Sequence, residues 1–425
     1  MKGISPLRFS VAMMMMLCLS VLLIVIYTEF IEERNSYLGY FPLEMGVSQF
    51  LSFGFVLLAI SLLFTLRLEK PSDFFSTLYT FLVVFPYTIY FSVAGPVSIE
   101  KYITILSVLL LPVILVFFVA NLLPKIKVSG FIPDSMVSAL LFMIAAAVVF
   151  YSFSIKPDSS SFSIGDVYSR RLEGREIFTS GSLVAYANSI VLNGIAPFLA
   201  FMSGMRNKKI TFVFALGIGV FFFYILGVKA SFLFILMAYA VGLSVRWKQL
   251  KNLMIYLMLI LFSIAFLSVV ELIFFDYSYL ADYFIRRAFV VPPFLVSTYF
   301  GYFNSAGLDW SFWAGLVDMT KPITYVVGED YLMRQNQNAN TNTFIFFLGQ
   351  YGLIGYSLCV ILVTSLFFLI DSVYKKTENA NLLFVSFIFT ILIIEKSATT
   401  AFVSSGIFLV LLLSLFGVGK KREYV

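Results

Sequence analysis

Runs of about 20 uninterrupted apolar residues, each long enough to cross a hydrocarbon layer of roughly 30 Å as a helix, recur along this chain from end to end. A chain cannot hide so many of them in one water-surrounded core, because a soluble domain also needs polar faces to cover it. Twelve such segments are read, near 9–29, 46–66, 74–94, 103–123, 135–154, 183–204, 210–227, 230–245, 253–275, 342–370, 381–397 and 401–418. Charged residues make up only 12% of the chain, about half the share usual in soluble domains. The expected fold is all-α: one polytopic membrane domain over 1–425 with about 12 transmembrane helices. The first segment follows Lys2 and Arg8 and runs into Glu29, Glu32 and Glu33 without a small-residue cleavage site, so it reads as a retained anchor.

Orientation follows from lysine and arginine, which are held on the cytoplasmic side of short loops. With both termini inside, the inner connections carry Arg67, Lys70, Lys125, Lys127, Arg206, Lys208, Lys209, Arg246, Lys248, Lys251, Lys375 and Lys376, and the C-terminus carries Lys420, Lys421 and Arg422. The net charge of +6 thus reflects topology and not nucleic-acid binding. Two outer segments are long, 155–182 and 276–341, so the working surface faces outward. The larger holds many aromatics, Trp310 and Trp313 among them. Its stretch Ala288–Phe303 is apolar but too short to span, and Pro292-Pro293 would break a helix there, which predicts an interfacial or re-entrant piece.

The chain has no histidine, so serine or cysteine nucleophiles activated by histidine and HExxH zinc sites are excluded. Cys18 and Cys359 both lie in apolar runs, which leaves no disulfide framework or thiolate cluster; no cofactor is expected. Acid and base work must fall to carboxylates, lysine or tyrosine.

Four features carry chemistry. The stretch 166–176 sets Arg170, Arg171 and Arg175 beside Asp166, Glu173 and Glu176. Its apolar positions Ile164, Tyr168, Leu172 and Ile177 suit a short amphipathic helix lying on the membrane surface with arginines at its polar edge. Arginine suits phosphate, since its planar fork donates two parallel hydrogen bonds; the competing reading is that these arginines snorkel to headgroups. Arg286-Arg287 stand at the start of the proline-bent apolar piece, where an anionic headgroup meets the bilayer, and snorkelling competes here too. Lys229 lies between two barely spanning segments, where a cation near membrane depth wants a partner or a role, whereas Glu395-Lys396 read as a pair that neutralises itself. The polar run 328–343 gathers amides, carboxylates and hydroxyls beside aromatics, which suits a sugar, and also reads as a solvated loop and helix cap. Asp166, Glu329 or Asp330 would serve as a general base for a sugar hydroxyl if burial raised its pKa. Gly349, Gly352 and Gly355 read as allowing close helix packing.

These features resemble the bacterial O-antigen repeat-unit polymerases of the Wzy type. The resemblance rests on Asp166-Val-Tyr-Ser-Arg-Arg171, on Gly227-Val-Lys-Ala-Ser231, on 286–293 followed by Tyr299 and Phe303, and on Asn340 to Asn342 followed by 349–355. It implies a metal-independent glycosyltransferase with a GT-C-like fold at the periplasmic face of the inner membrane. Such an enzyme moves the growing glycan from undecaprenyl diphosphate onto the non-reducing end of an incoming lipid-linked repeat unit. On that resemblance Arg171, Arg286, Arg287 and Lys229 hold the diphosphate, with Arg170 and Arg175 as close substitutes, and the base stays open among Asp166, Glu173, Glu329 and Asp330. Implied partners are the undecaprenyl-diphosphate-linked oligosaccharide, membrane lipids and a chain-length-determining co-polymerase. O-antigen ligases share the layout but place a histidine in their large loop, and this chain has none. A lipid-linked oligosaccharide flippase is the alternative from another class, although transporters more often show internal repeats and midplane charges.

Overall fold

The computed structural model describes residues 6–418 apart from 44–45, 64–67, 92, 94, 96, 121–123, 125, 127, 129–131, 164, 180, 306–320 and 336. Trp310, Trp313, Ile164 and the basic residues Lys2, Arg67, Lys125, Lys127, Lys420, Lys421 and Arg422 lie outside the described residues.

The described chain is mostly helical, and the described residues of every apolar segment expected from the sequence fall largely on helix. Seven helices are long and apolar enough to cross a membrane: Phe9–Leu38, Ile99–Val119, Ser135–Ser154, Leu183–Arg206, Lys209–Leu226, Leu250–Phe275 and Thr343–Thr377. Shorter apolar helices are Val47–Ser61, Ala230–Arg246, Asn381–Glu395 and Ile407–Phe416. Pro71–Phe74, Phe75–Val84 and Phe85–Ile89 run on as one further helical stretch, richer in Ser, Thr and Tyr. Phe55, Phe150, Ile210 and Phe274 stand exposed on their helices while tyrosines and phenylalanines fill the interior. Large apolar side chains on the outside and aromatic packing within are what a lipid-solvated helix bundle requires. The architecture is that of an all-α membrane protein, with one two-residue parallel pairing of Ile132–Pro133 with Gly417–Val418.

Two features position the candidate site. The stretch Thr343–Thr377 is two helical arms meeting at Gly352, whose φ of 63° and ψ of −160° no L side chain adopts without strain. The arms fold back on one another. The Thr343 hydroxyl meets the Cys359 sulfur at 3.6 Å, the Phe344 and Tyr356 rings lie 6.4 Å apart, and a Cβ at Gly355 would stand 2.9 Å from the Phe347 carbonyl oxygen. Residues 343–351 are therefore a half-helix that starts inside the bundle and rises to the turn. Its start is deep: Asn342 accepts from the Tyr79 hydroxyl at 3.4 Å, between the levels of Tyr79 and Cys359. Asp371, which accepts from the Ser72 amide at 2.9 Å, marks the far end of the same two helices. By helix rise the half-helix begins about 10 to 18 Å from that clasp, against roughly 37 Å for the whole arm 353–377. Pro112 lacks the N–H that would bond the Val108 carbonyl; the Tyr356 hydroxyl donates to it instead, at 2.7 Å.

The second feature is the helix that carries Arg286. Ala281–Val290 is a π-helix that runs without a break into the α-helix Val291–Ser305. The sequence expectation of an interfacial piece broken at Pro292-Pro293 is corrected here. A proline in the first turn of an α-helix has no intrahelical bond to lose, and the preceding i→i−5 register places both prolines there. Phe294, Tyr299, Phe300 and Phe303 are buried, so this helix packs into protein and not along the headgroups.

Candidate functional site: an arginine cluster on the loop face

The helix Val167–Ile177 forms as the sequence predicts, but with a different face inward. Leu172 and Ile177 are exposed while Arg170 is fully buried. Gly174 allows the helix to lie against Leu226, and Gly227, with φ of 62°, lets Val167 pack on the turn that ends Lys209–Leu226. Arg170 is the fastener. Its guanidinium donates to the carbonyl oxygens of Ser161, Ser163, Phe223 and Tyr224 and lies over the Phe223 ring. Carbonyls at a helix C-terminus attract cations, so this arginine is spent on folding the loop and not left free for a diphosphate.

Arg171, one residue on, faces the other way. It donates to the Gly227 carbonyl at 3.3 Å and is exposed. Desolvation, then the charges of Arg287 and Arg175, pull its pKa down. The two arginine-bearing loops thus converge at this point. Across the site, burial raises the Tyr40 phenol, while Arg286 against its hydroxyl and the fields of Arg334 and Arg287 act to lower it. Arg286, Arg287 and Arg334 accordingly gather around Tyr40, and Arg171 and Arg175 adjoin them at Arg287. Arg175 and Arg287 are exposed there. One carboxylate answers them directly: Asp282, which pairs with Arg286 at 2.9 Å and accepts from the Tyr277 hydroxyl at 3.3 Å. Several guanidiniums around one phenol, with one ion-paired carboxylate among the described residues, form a site with an excess of positive charge, suited to a multiply charged anion.

Beneath the cluster lies an aromatic floor. Tyr40 meets Phe294 edge-on at 4.8 Å, and Tyr27 packs on Tyr90 at 5.1 Å. The Tyr299 hydroxyl donates to the Ala339 carbonyl at 3.0 Å, which draws the run 332–342 down from Arg334 toward the buried start of the half-helix.

The candidate carboxylates are scattered. Glu173 accepts from the backbone amides of Asp158 at 2.8 Å and Ser159 at 3.1 Å, and hydrogen bonds from Ser159 and Asp158 hold its carboxyl below the usual range. It closes the loop and is poorly placed to take a proton. Asp166 is exposed at the start of the loop helix. Glu329 pairs with Lys321 at 2.7 Å. Asp330 is exposed beside Tyr302, whose phenol is pushed up by burial and then by that carboxylate. Lys229 is exposed at the turn before Ala230–Arg246, two residues from the Gly227 carbonyl that Arg171 engages.

Sequence reasoning missed Arg334 and Tyr40. Arg334 lies within the run 328–343 that reads as sugar-binding amides, and a lone arginine between Met333 and Gln335 carries no signal of its own. Fold and site together define an all-α membrane protein with a cationic cluster on the face that carries its two long loops. Compared with protein-family models, with curated proteins and with solved structures, the chain matches none.

Proposed function

We propose that this chain is a Wzy-type polymerase of lipid-linked glycan repeat units. It transfers the growing glycan from undecaprenyl diphosphate onto the non-reducing end of an incoming undecaprenyl-diphosphate-linked unit at the periplasmic face of a bacterial inner membrane. On this reading about twelve helices cross the bilayer, both termini are cytoplasmic and the fold is GT-C-like. The observation that carries the reading is the meeting, at Arg287, of Arg171 and Arg175 from one long loop with the group of Arg286, Arg287 and Arg334 that the other gathers around Tyr40. A diphosphate is the leaving group of the transfer, and fixed guanidiniums stabilise the charge that develops on it, the largest single contribution in many transfer reactions. A chain-length-determining co-polymerase is the expected protein partner.

Deletion of the gene tests the reading. The expected outcome is a lipid A core carrying one repeat unit, since export and ligation survive when polymerisation is lost. Polymer retained on the carrier above a bare core would point instead to a ligase, and units trapped at the cytoplasmic face to a flippase. The flippase is a second reading with one observation in its favour: a half-helix starting at depth is a feature of transporters that bind at the midplane.

A further inference from the structure

The turn after Asn381–Glu395 sits beside the buried start of the half-helix. Its Ala398 amide donates to the Thr343 hydroxyl at 2.7 Å, so Glu395 and Lys396 lie level with Asn342 and Thr343. Short helices explain why. Asn381–Glu395 has 15 residues and Ile407–Phe416 has 10, about 22 and 15 Å by helix rise, against roughly 37 Å for the arm 353–377 that precedes them, so the chain turns back below the level of Gly352. Backbone that turns at membrane depth persists only where it is packed in protein or lines a watery cavity. Here Ala398, Thr341 and Asn342 are buried in protein, while Asn340, Glu395, Thr399 and Thr400 are exposed. Among the described residues the Glu395 carboxylate accepts no hydrogen bond and makes no ion pair, and Lys396 is the charged group whose field reaches it. The two charges act on one another, as the sequence reading expects, but without a direct ion pair. A carboxylate at such depth that is not tied into an ion pair marks a functional site, and residues 337–342 lead from it toward Arg334.

Building on the polymerase reading above, we propose that Glu395 is the general base for the acceptor sugar and that the Asn340–Thr343 run, with Lys396, binds that sugar's hydroxyls. The acceptor hydroxyl oxygen bonds to the anomeric carbon of the donor glycan. The bond from that carbon to the diphosphate oxygen breaks, the electron pair leaves with undecaprenyl diphosphate, and the hydroxyl proton passes to the Glu395 carboxylate. Arginines at one site and base at another hold the two lipid-linked substrates apart and present them end to end.

The test uses the full chain in vesicles with lipid-linked repeat units, and compares the native protein with Glu395→Gln and Glu395→Asp. Loss of a general base lowers turnover by about 100-fold or more, so Glu395→Gln should fall by at least that while still binding undecaprenyl diphosphate as the native protein does. Glu395→Asp should recover part of the rate. The native rate should fall on acidification along a limb of unit slope that is missing from the residual rate of Glu395→Gln. Turnover of Glu395→Gln within a few-fold of native would overturn the assignment while leaving the polymerase reading intact. If native protein makes no polymer at all, both fall together. Should Glu395→Gln fail to accumulate, the native profile alone decides, and a rate that stays flat down to about pH 3, more than a unit below the ordinary glutamate pKa of about 4.3, would exclude a carboxylate base.

Discussion

Arg170 and Arg171 are sequence neighbours in opposite environments, because one step along a helix turns a side chain by about 100°. Removing Arg170 strands buried carbonyls, each worth about 1 to 3 kcal/mol of lost satisfaction. Arg170→Ala should therefore cut the amount of folded protein and its thermal midpoint, and Arg170→Lys should rescue little, since one ammonium cannot reach carbonyls on two segments. Arg171→Ala should leave the amount of folded protein unchanged and abolish polymer. If Arg170→Ala folds normally yet makes no polymer, the division of labour drawn here is wrong. Glu173 gives a pH dependence with a definite sign. Its pKa is lowered on folding, so its contribution to loop closure is fully present above the unfolded value of about 4.3 and is lost as pH falls through the lower folded one. Limited proteolysis near Asp158 should accelerate in acid, and Glu173→Gln should show that acceleration already at neutral pH. The sequence shows that these loops are rich in arginine. Which arginine turns inward is decided by Gly174 and Gly227 and the helix end they approach, a tertiary fact with no local signature.

The apolar runs locate the helical elements well, since length and hydropathy fix where a helix can lie in lipid. They say little of how a run is divided. Gly349, Gly352 and Gly355 read as one small-residue stripe, yet a Cβ at Gly349 would press on Ile323, Phe303 and Tyr299 while Gly352 holds the turn between two arms. Glycine has the same spacing in both roles, so only the backbone angles separate them. Gly352→Ala forces a side chain into a conformation that costs about 1 to 3 kcal/mol. A lower thermal midpoint and loss of polymer are expected, and an unchanged midpoint would show that the fold-back is not needed. The prolines mislead for a related reason: a π-helical register just before them removes the conflict that a regular α-helix would have had.

For the whole molecule, the reading requires both long loops on one side. With Cys18 and Cys359 replaced by serine, a membrane-impermeant thiol reagent should reach Asp158→Cys and Lys321→Cys from the same side, and Lys375→Cys only after permeabilisation. Labelling of the two loops from different sides would separate Arg171 from Arg287 and dissolve the site. The bundle was legible because twelve apolar runs permit few alternatives, whereas the site was legible only in residue type, since Tyr40, Arg334 and Glu395 come from three segments that nothing in the sequence links. The fold-back at Gly352 has an electrical consequence. A recess filled with water from one side carries the potential of that side down to its floor, so the transmembrane voltage drops across the thinner layer below. A full charge moved through 100 mV changes in energy by about 2.3 kcal/mol, but under the assignment proposed for Glu395 it and Lys396 stand above that drop. Proton exchange at their depth would follow the pH of the outer solution and be nearly indifferent to whether the membrane is energised.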